Sequence, residues 1–136
     1  MFGAKIGEGT IIRSGVQIKY PWKLKLGNHV WIGENSWIDN LARVDIGDHA
    51  CVSQGAMLCT GNHNYHSPGF ELIAKPIVLE NAVWIGAKAV VCPGVTAFSH
   101  AMLTVGSVAT SNMEPYSVYQ GNPAQLKRKR VLRSLS

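Results

Sequence analysis

The sequence predicts an all-β prism of stacked coils. Three observations carry that prediction: an aliphatic residue recurs every six positions, a small or β-branched residue often stands four positions after it, and glycine repeatedly follows it directly. A period of six matches neither the 3.6 of an α-helix nor the alternation of a long strand. It matches short strands separated by corners, wound so that each coil pairs with the next.

Taken in order, the first coil reads Ile6, Ile12 and Ile18. A two-residue slip leads to Leu26, Ile32 and Ile38, and the same slip to Ile46, Val52 and Leu58. The register then resumes at Leu79, Ile85 and Val91 and continues through Ala97 and Leu103. Thirteen of these fourteen positions are Ile, Leu or Val, against three or four by composition alone, so the repeat is not chance. The second column holds Val30, Ser36, Ala50, Ala56, Val83, Ala89 and their equivalents, and is broken by Trp22 and Asn62. Glycine at 7, 27, 33, 47 and 86 suits corners that need unusual backbone angles. Each inward aliphatic contributes roughly 1.5–3 kcal/mol on burial. About five coils at ~4.8 Å each stack to about 24 Å.

Beyond Leu103 the register fades, and residues 115–136 are expected to form a short C-terminal cap over the last open edge. The segment predicts a helix with Asn122 as N-cap and Pro123 at its first position, its apolar residues being Leu126, Val131, Leu132 and Leu135.

The one long interruption lies between Leu58 and Leu79, an insertion of about thirteen residues spanning roughly 61–76. Loops held by a rigid frame tend to carry function, and this one holds His63 and His66, two of the five histidines. His63 directly follows the regular residues of its coil, so the prism positions its backbone while the ring faces outward. An imidazole, with an ordinary pKa of about 6.5, is suited to accept a proton. Either Glu71 or a backbone carbonyl would orient it. Trp84, just before Ile85, is expected to pack on a neighbouring subunit or beside His63 and its ligands, and His29, His49 and His100 to form a solvated outer column.

The 136 residues suit one domain, 1–136. Hydrophobic residues make up 46% and charged ones 15%, and no run approaches the length of a membrane span, so no membrane insertion is expected. The chain shows no export signal, and three cysteines without a CxxC pair fit reduced thiols, which predicts a cytoplasmic location. The net charge of +5 gathers at Lys127, Arg128, Lys129, Arg130 and Arg133. Without aromatic interleaving or a nucleic-acid module, this cluster predicts a solvated tail or a site for a small phosphate-bearing ligand, and no nucleic acid.

From Phe2 to about Arg130 the chain resembles the hexapeptide-repeat acyltransferases. Thr60-Gly-Asn-His63 is similar to the catalytic-histidine loop of the xenobiotic, galactoside and maltose acetyltransferases. Val83-Trp-Ile-Gly-Ala with Val91-Cys-Pro-Gly-Val is similar to the coil that follows it, and Gly121-Asn-Pro-Ala124 to the family's C-terminal signature. Phe2-Gly-Ala-Lys-Ile-Gly, Tyr20-Pro-Trp-Lys and the run from Leu58 to Phe70 most resemble the colanic acid biosynthesis acetyltransferases. Those carry a further N-terminal segment ahead of the Phe-Gly-Ala motif, on which this chain almost begins, so an incomplete acceptor site is one expectation.

The resemblance implies a left-handed parallel β-helix working as a homotrimer with active sites between subunits. It implies acetyl transfer from acetyl-CoA to a sugar hydroxyl in exopolysaccharide synthesis, with His63 as general base and no metal; His66 is expected to contact the substrate or serve as an alternative base, and Trp84 to contact the substrate. Carried over by position, the coenzyme A contacts fall on Ala87, Val105, Thr110 and Arg128. The family's Thr-Lys pair reads Thr110-Ser111 here, its arginine after Pro-Ala reads Gln125, and its Gly-Ala-Gly-Ser run reads Thr104-Val-Gly-Ser. Arg128, helped by Lys127, therefore has more of the phosphate charge to neutralise. Two alternatives use the same prism: a γ-carbonic-anhydrase-like zinc enzyme, whose histidine spacing is longer than His63-x-x-His66, and a catalytically silent assembly module.

Overall fold

The structure, a computed structural model, describes residues 3–134; Phe2 of the N-terminal motif and Leu135 of the expected cap lie outside the described residues. Residues of each hexad form a two- or three-residue strand, and the strands stack into three faces of a parallel β-solenoid. The first face is Lys5–Ile6, Leu24–Leu26, Val44–Ile46, Ile77–Leu79 and Thr96–Ala97. The second runs Ile11–Ile12, Trp31–Ile32, Cys51–Val52, Trp84–Ile85 and Met102–Leu103, and the third Gln17–Ile18, Trp37–Asp39, Met57–Cys59, Val90–Val91 and Val108–Ala109. Register residues pair with register residues, as in Ile32 with Val52 and Ile85 with Leu103. From Leu26 to Leu103 all of them are buried, at 0–2% exposure, and they form one continuous core. The first coil is looser, with Ile6 40% exposed.

At the corners between the first and second faces the small second column is buried, with Val30, Ala50, Val83 and Ala101 at 0–1% exposure. The residue before it adopts a left-handed backbone in successive coils, with φ between 56° and 63° at His29, His49, Ala82 and His100. Such a φ costs a side-chain-bearing residue roughly 1–2 kcal/mol, offset here by hydrogen bonding. Each of these N–H groups donates to a carbonyl of the preceding coil, His29 to Glu8 at 2.7 Å and His100 to Asn81 at 2.9 Å. Asn28, Asp48 and Asn81 add a second ladder, each side-chain oxygen accepting the N–H of Glu8, Asn28 and Asp48 respectively. His29 and His49 are exposed and stack at 5.1 Å, whereas His100 is half-buried and stacks on Tyr116 at 4.3 Å. At Gly86 no side chain fits, because a Cβ there would lie 2.7 Å from the amide nitrogen of Val105.

The register slips all fall in the corner between the third and first faces, where Trp22 and Asn62 lie. In the first coil that corner is a short 3-10 turn, Pro21–Lys23, clamped by the buried Asn40, whose side chain bonds both the N–H and the carbonyl of Tyr20 at 2.8 Å. In the third coil it is opened by the insertion, at whose root the buried Thr60 hydroxyl donates to the Asp39 carbonyl at 2.9 Å and accepts the Ala42 N–H at 3.0 Å.

Two expectations change at the C-terminal end. The register does not fade after Leu103: Ala109 keeps the six-residue step at 1% exposure, and Met113, fully buried, bridges Ala97. The step from Ala109 to Met113 is shortened to four residues, so a search by sixes passes over it, and the five complete coils are followed by part of a sixth. The cap is no helix. Ser117–Gly121 pairs in parallel with Met102–Leu103, and Ala124–Lys129 folds back antiparallel on it across the turn at Asn122-Pro123. The physical reason is that the last coil offers unpaired backbone groups, whereas Leu126, Val131 and Leu132 are exposed and supply no buried helical face. Arg130 locks the hairpin down, its Nη1 donating to the carbonyls of Ala82 at 2.8 Å and His100 at 3.2 Å. Cys51, Cys59 and Cys92 are free thiols. No helix among the described residues is long and apolar enough to cross a membrane.

Candidate active site

The insertion is a β-hairpin. Gly61–His63 and Leu72–Ala74 pair antiparallel, with His63 opposite Leu72 in the last rung. The hairpin tip is tied by its own backbone, through Asn64 N–H to the Glu71 carbonyl at 2.8 Å, Ser67 N–H to Asn64 at 3.2 Å and Phe70 N–H to Ser67 at 3.0 Å. Beneath it Gly61 sits on Leu41, where a Cβ would come within 2.9 Å of the leucine Cδ1.

His63 is exposed on this frame, and the Asn62 side-chain oxygen accepts its backbone N–H at 2.8 Å. Its Nδ1 lies 3.0 Å from the Phe70 carbonyl oxygen. A carbonyl only accepts, so the hydrogen of the neutral ring resides on Nδ1 and the lone pair on Nε2. Between the two orienting groups named from the sequence, the backbone carbonyl holds this place. Glu71 is turned elsewhere: Ser67 Oγ donates to its carboxylate at 2.7 Å, and this bond, with one from its own backbone, holds the carboxyl below the usual carboxylate range. His66 is exposed farther out, tilted against Tyr65 at 4.2 Å, with its N–H on the Asn64 side chain at 3.3 Å.

The other candidates do not join His63 within one chain. Trp84 is on the second face, its indole N–H donating to Ser53 Oγ at 2.9 Å, while His63 rises between the third and first faces. Ala87 and Val105 share the corner between the second and third faces, where Gly106 N–H donates to the Ala87 carbonyl at 2.9 Å. Thr110 is exposed just past the third face of the fifth coil, and Arg128 is exposed on the terminal hairpin opposite Val118. A groove of about 500 Å³ lies on the first face among Lys25, Asp45, Val78, Glu80, Asn81 and Ser99 and includes none of these residues. Cys92 stands near Cys59, and burial first, then that neighbour, pushes its thiol above the usual range.

Two features escaped the sequence. Phe70 stacks on His63 with ring centroids 4.2 Å apart and an 11° interplanar angle. The only trace of this in the sequence is an aromatic residue after Pro68-Gly69 in the tip. Asn62 stood in the Thr60-Gly-Asn-His63 motif and as a break in the small-residue column, but neither showed its side chain accepting the His63 N–H.

No family model matches the chain. WcaF of Escherichia coli K12, assigned by name to colanic acid biosynthesis as an acetyltransferase, is 39% identical over 131 residues, which are 96% of this chain and 72% of WcaF. Among solved structures, the hexapeptide-repeat-containing acetyltransferase VCA0836 from Vibrio cholerae superposes with a TM-score of 0.89 at 27% identity, covering 96% of this chain and 75% of that one. Galactoside acetyltransferase in complex with coenzyme A superposes at 0.87, also at 27% identity, covering 93% and 65%. With the solenoid and its histidine hairpin described, an identity of that extent over most of both chains settles the family: the protein belongs to the hexapeptide-repeat acetyltransferases.

Proposed function

We propose that the protein transfers the acetyl group of acetyl-CoA to a hydroxyl of a sugar or polysaccharide precursor in the cytoplasm, with His63 as general base. The observation that carries this reading is the 3.0 Å contact of His63 Nδ1 with the Phe70 carbonyl, which leaves Nε2 free to take the hydroxyl proton. The sugar acceptor is supported by the name of WcaF, at 39% identity, and by that of the galactoside acetyltransferase.

Acetyl-CoA supplies the acetyl group as an activated thioester. The residues present fit it at two ends. Val105 is 71% exposed beside Gly106, where nothing lies within 4 Å of a would-be Cβ, so the Ala87–Val105 corner leaves open space for an amide-bearing arm. Arg128, with Lys127, offers cations to phosphates, and Thr110 an exposed hydroxyl. Trp84, the Ala87–Val105 corner and Arg128 belong to the second face and the corner after it, whereas the His63 hairpin rises at the opposite corner, which Thr110 shares; this separation supports a homotrimer whose sites, with His66 and Trp84 toward the acceptor, form between subunits.

The test combines calorimetry with coenzyme A and thiol release from acetyl-CoA with a panel of mono- and disaccharides. Wild type is expected to bind coenzyme A and turn over, and His63→Ala to lose roughly 10²–10⁴ in kcat with coenzyme A affinity unchanged. Absence of coenzyme A binding would overturn the reading.

A further inference from the structure

Phe70 meets His63 twice, through its carbonyl at 3.0 Å from Nδ1 and through its ring, stacked at 4.2 Å. The residue that makes both contacts has a φ of +49°. Residues with a side chain rarely adopt this left-handed region, and one that does so is held there by its surroundings. Burial does not explain the choice of phenylalanine, because its side chain is 55% exposed. Backbone need does not explain it either, since glycine takes such a φ without strain. What the ring touches is the imidazole.

We infer that Phe70 is a positioning residue for His63: its left-handed backbone aims the carbonyl at Nδ1, and its ring covers one face of the imidazole and restrains its rotation. This rests on the reading of His63 as the base. The two contacts act together. The carbonyl selects the tautomer, and the stack holds the ring plane that keeps Nδ1 on the carbonyl, so that loss of the phenyl ring frees both the tautomer and the direction of Nε2. A base displaced by about 1 Å forfeits on the order of 10² in rate, so such restraint has a large effect on turnover. The surrounding turn maintains the arrangement through the Phe70 N–H to the Ser67 carbonyl at 3.0 Å and the Asn64 N–H to the Glu71 carbonyl at 2.8 Å.

Phe70→Gly removes the ring while easing the left-handed backbone, and Phe70→Tyr keeps the ring. Both are compared with wild type and His63→Ala by thermal melting, by the ¹⁵N–¹H spectrum of the His63 imidazole, and by turnover of acetyl-CoA with the best saccharide of the panel. Phe70→Tyr is expected to stay within about twofold of wild type, and Phe70→Gly to lose roughly ten- to a hundredfold in kcat at unchanged KM for acetyl-CoA. The glycine variant is also expected to melt no lower than wild type and to show a mixture of tautomers. The inference is overturned if Phe70→Gly keeps both kcat and a single tautomer, or loses kcat only in step with a lower melting temperature. If His63→Ala keeps wild-type turnover, the base assignment falls instead, and the imidazole spectrum still decides whether Phe70 orients the ring.

Discussion

Trp84 donates its indole N–H to Ser53 Oγ at 2.9 Å on the second face, whereas His63 stands on the edge between the third and first faces. A site using both therefore draws them from two copies of the chain. Mixing His63→Ala with Trp84→Ala chains, each impaired alone, is expected to restore activity, to roughly a quarter of wild type for random pairing in a ring. The measurement is turnover of co-expressed variants. No recovery above the sum of the two would show that they do not share a site across subunits.

Ile32 has no exposed surface and pairs with Val52 in the middle of the core. Placing a carboxylate there leaves an unpaired buried charge, which costs several kcal/mol. Ile32→Asp is expected to abolish the cooperative melting transition by circular dichroism, while Ile32→Val loses about 0.5–1.5 kcal/mol and remains folded.

Arg130 Nη1 reaches the carbonyls of Ala82 and His100, the last tie between the terminal hairpin and the solenoid corner. Arg130→Ala is expected to cost about 1–2 kcal/mol and to lower Tm by roughly 3–8 °C. Hydrogen exchange should accelerate in 117–129 and leave 44–46 unchanged; uniform acceleration would refute a local clamp.

The Glu71 carboxyl is held below the usual carboxylate range by the Ser67 hydroxyl and its own backbone. A group depressed on folding stabilises the native hairpin tip above its unfolded pKa, and the contribution disappears as pH falls through the folded value. Amide exchange of Gly69 and Phe70 is therefore expected to rise below about pH 4.5, the carboxyl's ordinary value. Ser67→Ala should raise exchange at neutral pH and flatten the acid dependence. An acid dependence that persists unchanged in the variant would assign it to another group.

Most of the scaffold could be read from the chain, and the reason is visible in particular residues. Ile32, Val52 and Ile85 announce their burial because each hexad turns its aliphatic register residue inward, whereas Ala109 keeps the same step as an alanine and the shortened step after it hides Met113. The hairpin root was legible too, since the insertion begins where Leu58 and Thr60 end the third coil. Its interior was not. Phe70, seven residues from His63, reaches it through a positive φ that no pattern of side chains encodes.

The sequence by itself determined the stacked coils, the place of the insertion and the histidine at its root, because inward periodicity is a local property that every coil repeats. Tertiary structure alone decided that the C-terminal segment pairs as a strand with Met102–Leu103, that Glu71 serves Ser67 while Phe70 orients His63, and that Trp84 lies on another face from His63. Those outcomes depend on which backbone groups remain unpaired and where the chain reverses, quantities fixed only when distant coils meet.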